Sequence, residues 1–242
     1  MAATTLLQQR VRQKALQTAI ERGRQASREE LAALIATHTT TLSGPATELT
    51  LVPGRVIGLE GPVGAGLTRL ALVMLAEIAS RAPVAIVDTR GWFCPVAAWE
   101  VGIPPAHLSV IRCSDAEKWP SVLGALLTGL GGIYAEVPPG VPDQVLRRLS
   151  AKARQERAAV ALRPMSGQLP AGITHMRLTA EQITWSGPDR GHGRLTGRSL
   201  SLYASGKGVR GIEQRFGVED DGTSDVHLVG NLGTVSPGRA VG

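Results

Sequence analysis

The sequence predicts an α/β protein: a mostly parallel sheet covered by helices, with an antiparallel C-terminal edge and an N-terminal helical appendage. Three observations predict it. Short apolar segments alternate with helical ones between residues 55 and 163, the pattern of parallel strands joined by right-handed crossovers. The segment Val84-Ala-Ile-Val-Asp88 has no polar alternation, as expected of a strand covered on both faces. Beyond residue 175 the helical periods stop, and β-type segments follow one another across glycine-rich turns, which predicts hairpins extending one edge of the sheet.

Taken in order, residues 5–36 read as helical. Leu7, Val11, Ala15 and Ala19 recur at fours with Leu16 and Ile20 beside them, so Leu7, Val11, Leu16 and Ile20 form a candidate partner-binding helix. Gly23 divides the segment, and Ser27 with Glu30 makes a capping box ahead of Leu31. The Thr/Ser/Gly/Pro-rich stretch 37–48 reads as a linker, which sets residues 1–48 apart from a core at 49–229. Within the core, strands are expected at 55–60, 84–88, 108–112, 133–137 and 160–163. Helices are expected at 67–81, 95–101, 119–130 and 143–157. The final strands are expected at 175–178, 182–185, 199–204 and 214–218, and the Gly/Pro-rich residues 230–242 read as a flexible tail. No internal repeat is visible.

Composition limits the function classes. The 242 residues are 43% apolar and only 3% aromatic, so the core must be built from Leu, Val, Ile and Ala. Lys plus Arg is 26 against 20 for Asp plus Glu, a net charge of +6. That suits nucleic acid or an acidic partner, or reflects an arginine-rich background. Cys94 and Cys113 are the two cysteines and form no CxxC pair. Neither a disulfide framework nor a zinc site is suggested, and two buried free thiols are expected. Arg10, Arg12 and Lys14 interrupt the N-terminus before a signal peptide could form. The longest apolar run, Leu70 to Ala76, falls far short of the roughly 20 residues of a membrane span. A cytoplasmic protein with no membrane partner is expected.

The segment Gly61-Pro-Val-Gly64-Ala-Gly66-Leu67-Thr68 carries the chemistry. A phosphate loop reads G-x-x-x-x-G-K-[ST]: backbone N–H groups cradle phosphates, lysine reaches the β and γ phosphates, and the hydroxyl holds magnesium. Here Gly61, Gly66 and Thr68 are in place, but Leu67 stands where lysine belongs. A hydrogen bond to a charged group is worth roughly 1.5–3 kcal/mol, so the loss weakens triphosphate binding by about ten- to a hundredfold. Two uses remain for the glycines: a tight strand-to-helix turn alone, or residual anion binding. The acid at the end of the strand around Ile133-Tyr-Ala-Glu136 has two readings as well, magnesium through water or an ion pair with an arginine.

This layout resembles RecA over roughly residues 55–218, through the glycine loop, the strand ending at Asp88 that leads to Pro95, the strand ending at Glu136 and the antiparallel edge. The resemblance implies a RecA-like phosphate-loop core in which Glu136 stands at the Walker B position and Arg90 at the position of the catalytic glutamate. It also implies that the DNA-binding loops correspond to 138–143 and 165–172, both short and nearly uncharged. Among RecA relatives the chain is similar to the ImuA-type accessory proteins of actinobacterial mutasomes. The phrases Val87-Asp-Thr-Arg-Gly-Trp92, Ala98-Trp-Glu-Val-Gly-Ile103, Arg190-Gly-His-Gly-Arg-Leu195, Tyr203-Ala-Ser-Gly-Lys-Gly208 and Val218-Glu-Asp-Asp-Gly222 carry that likeness. It implies a non-enzymatic adaptor, without cofactor or metal, in damage-induced mutagenesis and translesion synthesis. The implied partners are a Y-family polymerase-like subunit and an error-prone replicative-type polymerase, with RecA as a further one. The alternatives are a weak nucleotide-binding ATPase using Arg69 or Arg90, and a regulator of RecA filaments or of cell division.

Two basic features lie outside the loop. The helix at 143–157 carries Arg147, Arg148, Lys152 and Arg154 opposite its apolar stripe. Lys207 and Arg210 lie in a glycine-flanked turn. Each reads as weak DNA or partner contact, or as a solvated face and an ordinary hairpin tip. His192 has no second ligand at metal spacing. Trp92, Trp99, Trp119 and Trp185 read as core or interface anchors, Trp92 as the most exposed.

Overall fold

The computed structural model describes residues 42–43, 49–187, 192–209, 214–220 and 226–234. The chain divides between His38 and Thr39 into two compact units, and all the described residues fall in the second. The expected N-terminal helices, including Leu7, Val11, Leu16 and Ile20, lie outside the described residues.

The described strands are β1 (Leu42–Ser43), β2 (Val56–Glu60), β3 (Val84–Asp88), β4 (Leu108–Arg112), β5 (Gly132–Val137), β6 (Ala159–Pro164), β7 (Met176–Ser186), β8 (Gly197–Ser205), β9 (Gln214–Asp220) and β10 (Val226–Thr234). The α-helices are α1 (Leu67–Ala79), α2 (Val96–Glu100), α3 (Trp119–Leu126) and α4 (Asp143–Gln155). One mixed sheet results, ordered β1-β10-β9-β8-β7-β2-β6-β5-β3-β4. The block from β7 through β2 to β4 is parallel, whereas β7 to β10 run antiparallel to one another. The alternating half and the antiparallel C-terminal edge therefore form as the sequence predicts.

Helices cover both faces, and strand periodicity decides which residue meets which. Ile57, Leu59, Ile86 and Tyr134 pack with the buried residues of α1 and with Ala98 of α2. Their neighbours Val56, Val87, Ile133, Ala135 and Val137 face the other way, against Trp119 and Leu123 of α3 and Leu146 and Leu149 of α4. Helix α1 is buried along most of its length, from Leu67 and Leu70 to Leu75. Helix α4 is amphipathic: Leu146, Leu149 and Ala153 are buried while Arg147, Arg148 and Arg154 are exposed. Asp143 in its first turn and Lys152 and Arg154 in its last match the helix dipole. It stops at Arg157, whose φ of 58° is left-handed.

Several elements differ from expectation. The segments 175–178 and 182–185 are one strand, β7, with a register irregularity between Ala180 and Gln182. A bulge breaks the period of two without ending the strand, so the sequence reads as two. Leu42–Ser43, inside the stretch read as a linker, pairs in parallel with β10. The ladder also continues past Gly230 to Thr234, with irregularities flanking Asn231. Glycine at such bulges looks like loop in sequence. Among the described residues no helix is long and apolar enough to cross a membrane.

Candidate functional site

In a parallel sheet, ligand crevices open at the carboxyl ends of strands. Here β2 ends at Glu60, β3 at Asp88, β5 at Val137 and β6 at Pro164, and the charged residues near these ends converge. The glycine loop links β2 to α1. Gly66 caps α1 in the left-handed region, φ 77°, and Gly64 has φ 85°, which is why glycine stands at both. Gly64, Gly66, Thr68, Arg90 and Glu136 line one cavity of about 440 Å³ with Arg69, Trp92, Cys94, Arg163 and Arg198. That volume lies within the range of roughly 300–1,000 Å³ typical of small-molecule sites. Leu67 does not reach it: its side chain is fully buried in the core beneath the loop.

The acids at this end are engaged by the protein itself. Asp88 accepts N–H bonds from Gly91 (2.8 Å), Trp92 (3.3 Å) and Phe93 (2.9 Å). It shapes the turn that delivers Arg90. Glu136, 3% exposed, accepts from the Arg90 guanidinium through Oε1, including a short contact from Nη2. Its Oε2 accepts the backbone N–H groups of Thr89 and Arg90 at 3.2 and 3.3 Å. Glu136 and Arg90 thus form an ion pair. The hydrogen bond to Glu136 holds the Arg90 guanidinium above its ordinary pKa, against the effect of burial.

The hydroxyl is engaged too. Arg163 donates from Nη1 to Thr68 Oγ1 at 2.8 Å, and its Nη2 lies 3.5 Å from the Pro62 carbonyl. Tyr134 OH is 3.1 Å from the same Thr68 Oγ1, and burial pushes the phenol pKa up. Arg198, on β8, lies directly over the loop: a Cβ added at Gly66 would stand 2.0 Å from its Nη1. Asp220, its cross-strand partner on β9, accepts from Arg198 at 2.7 Å and lies 3.2 Å from Arg69 Nε. Burial lowers the Arg198 pKa.

Sequence reasoning missed Arg163, Arg198 and Asp220. A signal existed for Arg163, a charged residue closing the otherwise apolar strand Ala159–Pro164 at its carboxyl end. None existed for Arg198 and Asp220, which meet only through β8–β9 register. Cys94 corrects an expectation: it is exposed and lines the cavity, while Cys113 is buried. It belongs to the turn after β3, at the open end of the crevice, where water reaches it. Trp92 is 74% exposed with the Arg90 guanidinium 5.1 Å from its ring centroid. Trp119 is fully buried and Trp185 is 48% exposed.

The other predicted residues lie elsewhere. Arg147, Arg148 and Arg154 are exposed on α4, and Lys152 is half-buried. Arg154 and Lys207 meet at a second groove on the opposite end of the sheet, and Arg210 lies outside the described residues. Among the described residues no group of three or more His, Cys, Asp or Glu could hold a metal ion.

No curated protein matches the chain. The family model described as MT3502 N-terminal domain matches residues 46–167, which takes in the glycine loop, Arg90, Glu136 and Arg163 and ends before Arg198 and Asp220. With half of its length matched, the chain belongs to the MT3502 N-terminal domain family.

Proposed function

We propose that this chain is a RecA-like phosphate-loop domain that has given up ATP hydrolysis and acts as an adaptor in damage-induced mutagenesis, supporting translesion synthesis by binding a polymerase-like partner. One observation carries the loss of hydrolysis. The hydroxyl and the carboxylate that a magnesium–triphosphate complex would need are each bonded to an arginine of the chain, Thr68 to Arg163 and Glu136 to Arg90. Leu67, in the place of the lysine, is a core residue. Phosphoryl transfer relies on positioned cations and a water-orienting group, and here Arg90 neutralises the chain's own Glu136 while Arg163 is bonded to the Thr68 hydroxyl. The sheet order supports the RecA-like reading, with the glycine loop on an interior strand and the Glu136 strand two places away. Trp92 is the anchor proposed for the partner, since an exposed tryptophan beside an arginine is typical of interface hot spots.

The purified protein should turn over no ATP with magnesium, with or without DNA. It should also capture a polymerase-like protein from DNA-damaged cells, and Trp92→Ala should weaken that capture at least tenfold. A DNA-stimulated ATPase rate that Thr68→Ala abolishes would overturn the proposal. A second reading, metal-free binding of an oxyanion, is favoured by Arg163: it is 6% exposed, lines the cavity, and donates only to neutral oxygens. Arg69 and Arg90, the cations expected for that role, are already paired with Asp220 and Glu136. Calorimetry with ATP in the absence of magnesium tests it, and heat abolished by Arg163→Gln is the supporting result.

A further inference from the structure

At the amino ends of the parallel strands, away from the glycine loop, lies a second groove of about 210 Å³. Arg55, at the entry to β2, and Arg154, from the last turn of α4, line it with His175 and Lys207. No carboxylate lines it among the described residues. These four residues come from separate places in the sequence, and only the fold gathers them.

What sets the place apart is three cations facing one groove that no described carboxylate lines. Several arginines elsewhere are paired, Arg69 and Arg198 with Asp220, Arg90 with Glu136, Arg177 with Glu60 and Arg215 with Glu181, while Arg163 bonds only neutral oxygens. In the groove neither Arg55, Arg154 nor Lys207 has an ion-pair partner among the described residues. Like charges brought together repel, so an anion entering the groove would relieve the repulsion. His175 senses the same field: burial, and then the charges of Arg55 and Lys207, lower its pKa.

The dimensions favour a polymer over a small molecule. The groove is smaller than the roughly 300–1,000 Å³ that encloses a ligand, and Arg55, Arg154 and Lys207 are all exposed. It has room for one phosphate group. Arg147 prolongs the cationic line along α4, held at the rim by donation to the Ala171 carbonyl at 3.0 Å. It precedes Arg154 by two helical turns, about 10 Å at 1.5 Å per residue, and phosphates along one strand of a duplex repeat at about 3.4 Å.

We propose that this groove holds a phosphate of a nucleic-acid backbone, with Arg55, Arg154 and Lys207 as its cations and Arg147 contacting a phosphate further along the same backbone. The site is separate from the glycine loop, and it stands whether or not the loop binds nucleotide.

The test uses the full chain and fluorescence anisotropy with labelled single-stranded and duplex DNA over a series of salt concentrations. The groove variant Arg55→Gln/Arg154→Gln/Lys207→Gln is compared with Arg148→Gln/Lys152→Gln, which removes charge from α4 outside the groove. Each lost phosphate contact lowers the salt slope by about 0.7–0.9. The groove variant, which loses the one phosphate held in the groove, should therefore lose roughly 0.7–0.9 from the slope and at least tenfold in affinity at low salt. The control should change little. The groove variant should melt no lower than the wild type, since it relieves repulsion, which separates lost binding from lost folding. Equal loss per charge removed in both variants, or no DNA binding at low salt, would overturn the proposal. So would a shift of the His175 ring resonances with millimolar inorganic phosphate or a phosphopeptide but not with DNA, which would assign the groove to another phosphate carrier.

Discussion

Glu136 is a carboxylate almost sealed from water, at 3% exposure, whereas the side chain of its partner Arg90 is 25% exposed. The two halves of this pair are therefore not equivalent. Arg90→Ala leaves a buried carboxylate with two backbone N–H groups and no counter-charge, and should cost about 3 kcal/mol of stability. Glu136→Gln leaves a guanidinium that water can reach and an amide oxygen that still accepts, and should cost about 1–2 kcal/mol. Urea denaturation of both variants checks the order; a larger loss for Glu136→Gln would mean that Arg90 is the poorly solvated member. His175 gives a pH signature. Its folded pKa lies below the ordinary 6.5, chiefly through burial and then through Arg55 and Lys207. The folded state then binds fewer protons than the unfolded state between the two pKa values, so stability rises with pH across that window. The contribution is complete above about 6.5 and is lost as pH falls through the unfolded value toward the folded one. His175→Gln should remove that part of the pH dependence of the melting temperature; an unchanged profile would place its origin elsewhere.

At the scale of elements, the join between the glycine loop and α1 is fixed by the antiparallel edge as well as by the loop. Gly66 has a left-handed φ of 77°, and a Cβ there would stand 2.0 Å from Arg198 Nη1. Asp220 on β9 holds Arg198 in that position. Gly66→Ala therefore meets two penalties: about 1–2 kcal/mol for the backbone, and roughly 1.5–3 kcal/mol if the charge-assisted bond to Asp220 is broken. In Gly66→Ala/Arg198→Ala the Arg198 bond is already absent, and Asp220 keeps Arg69. Measured against Arg198→Ala alone, the added alanine should cost only the backbone penalty. Equal costs for Gly66→Ala in the two backgrounds would show that Arg198 moves aside freely.

At the scale of the whole molecule, the features on which the proposed loss of hydrolysis rests support one another. Leu67 is buried, so Leu67→Lys should destabilise the fold by placing an amine in the core. It should not restore ATP turnover, because Glu136 and Thr68 would still be bonded to Arg90 and Arg163. Turnover recovered by that one substitution would contradict the proposed inactive adaptor. The two ends of the sheet differ in character. At the carboxyl ends Arg69, Arg90 and Arg198 are paired with Asp220 and Glu136; at the amino ends Arg55, Arg154 and Lys207 are left facing a groove that no described carboxylate lines.

The alternation of strands and helices, with β3 and β4 at their observed bounds, was legible because buried parallel strands and their covering helices leave strong local periods. So was the glycine loop, since a left-handed turn such as that at Gly66 demands glycine locally. The antiparallel half was less legible: a bulge in β7 and the glycines of β10 imitate loops. Arg90 and Glu136 could each be placed at a strand end from sequence, but the choice between metal ligand and ion pair rested on the turn that Asp88 holds. The meetings of Arg163 with Thr68, of Arg198 with the loop, and of Arg154 with Lys207 were decided by tertiary structure alone. Sequence periodicity reports which face of an element is buried; which charges meet across separate elements depends on strand order and register, and these emerge only when the sheet is assembled.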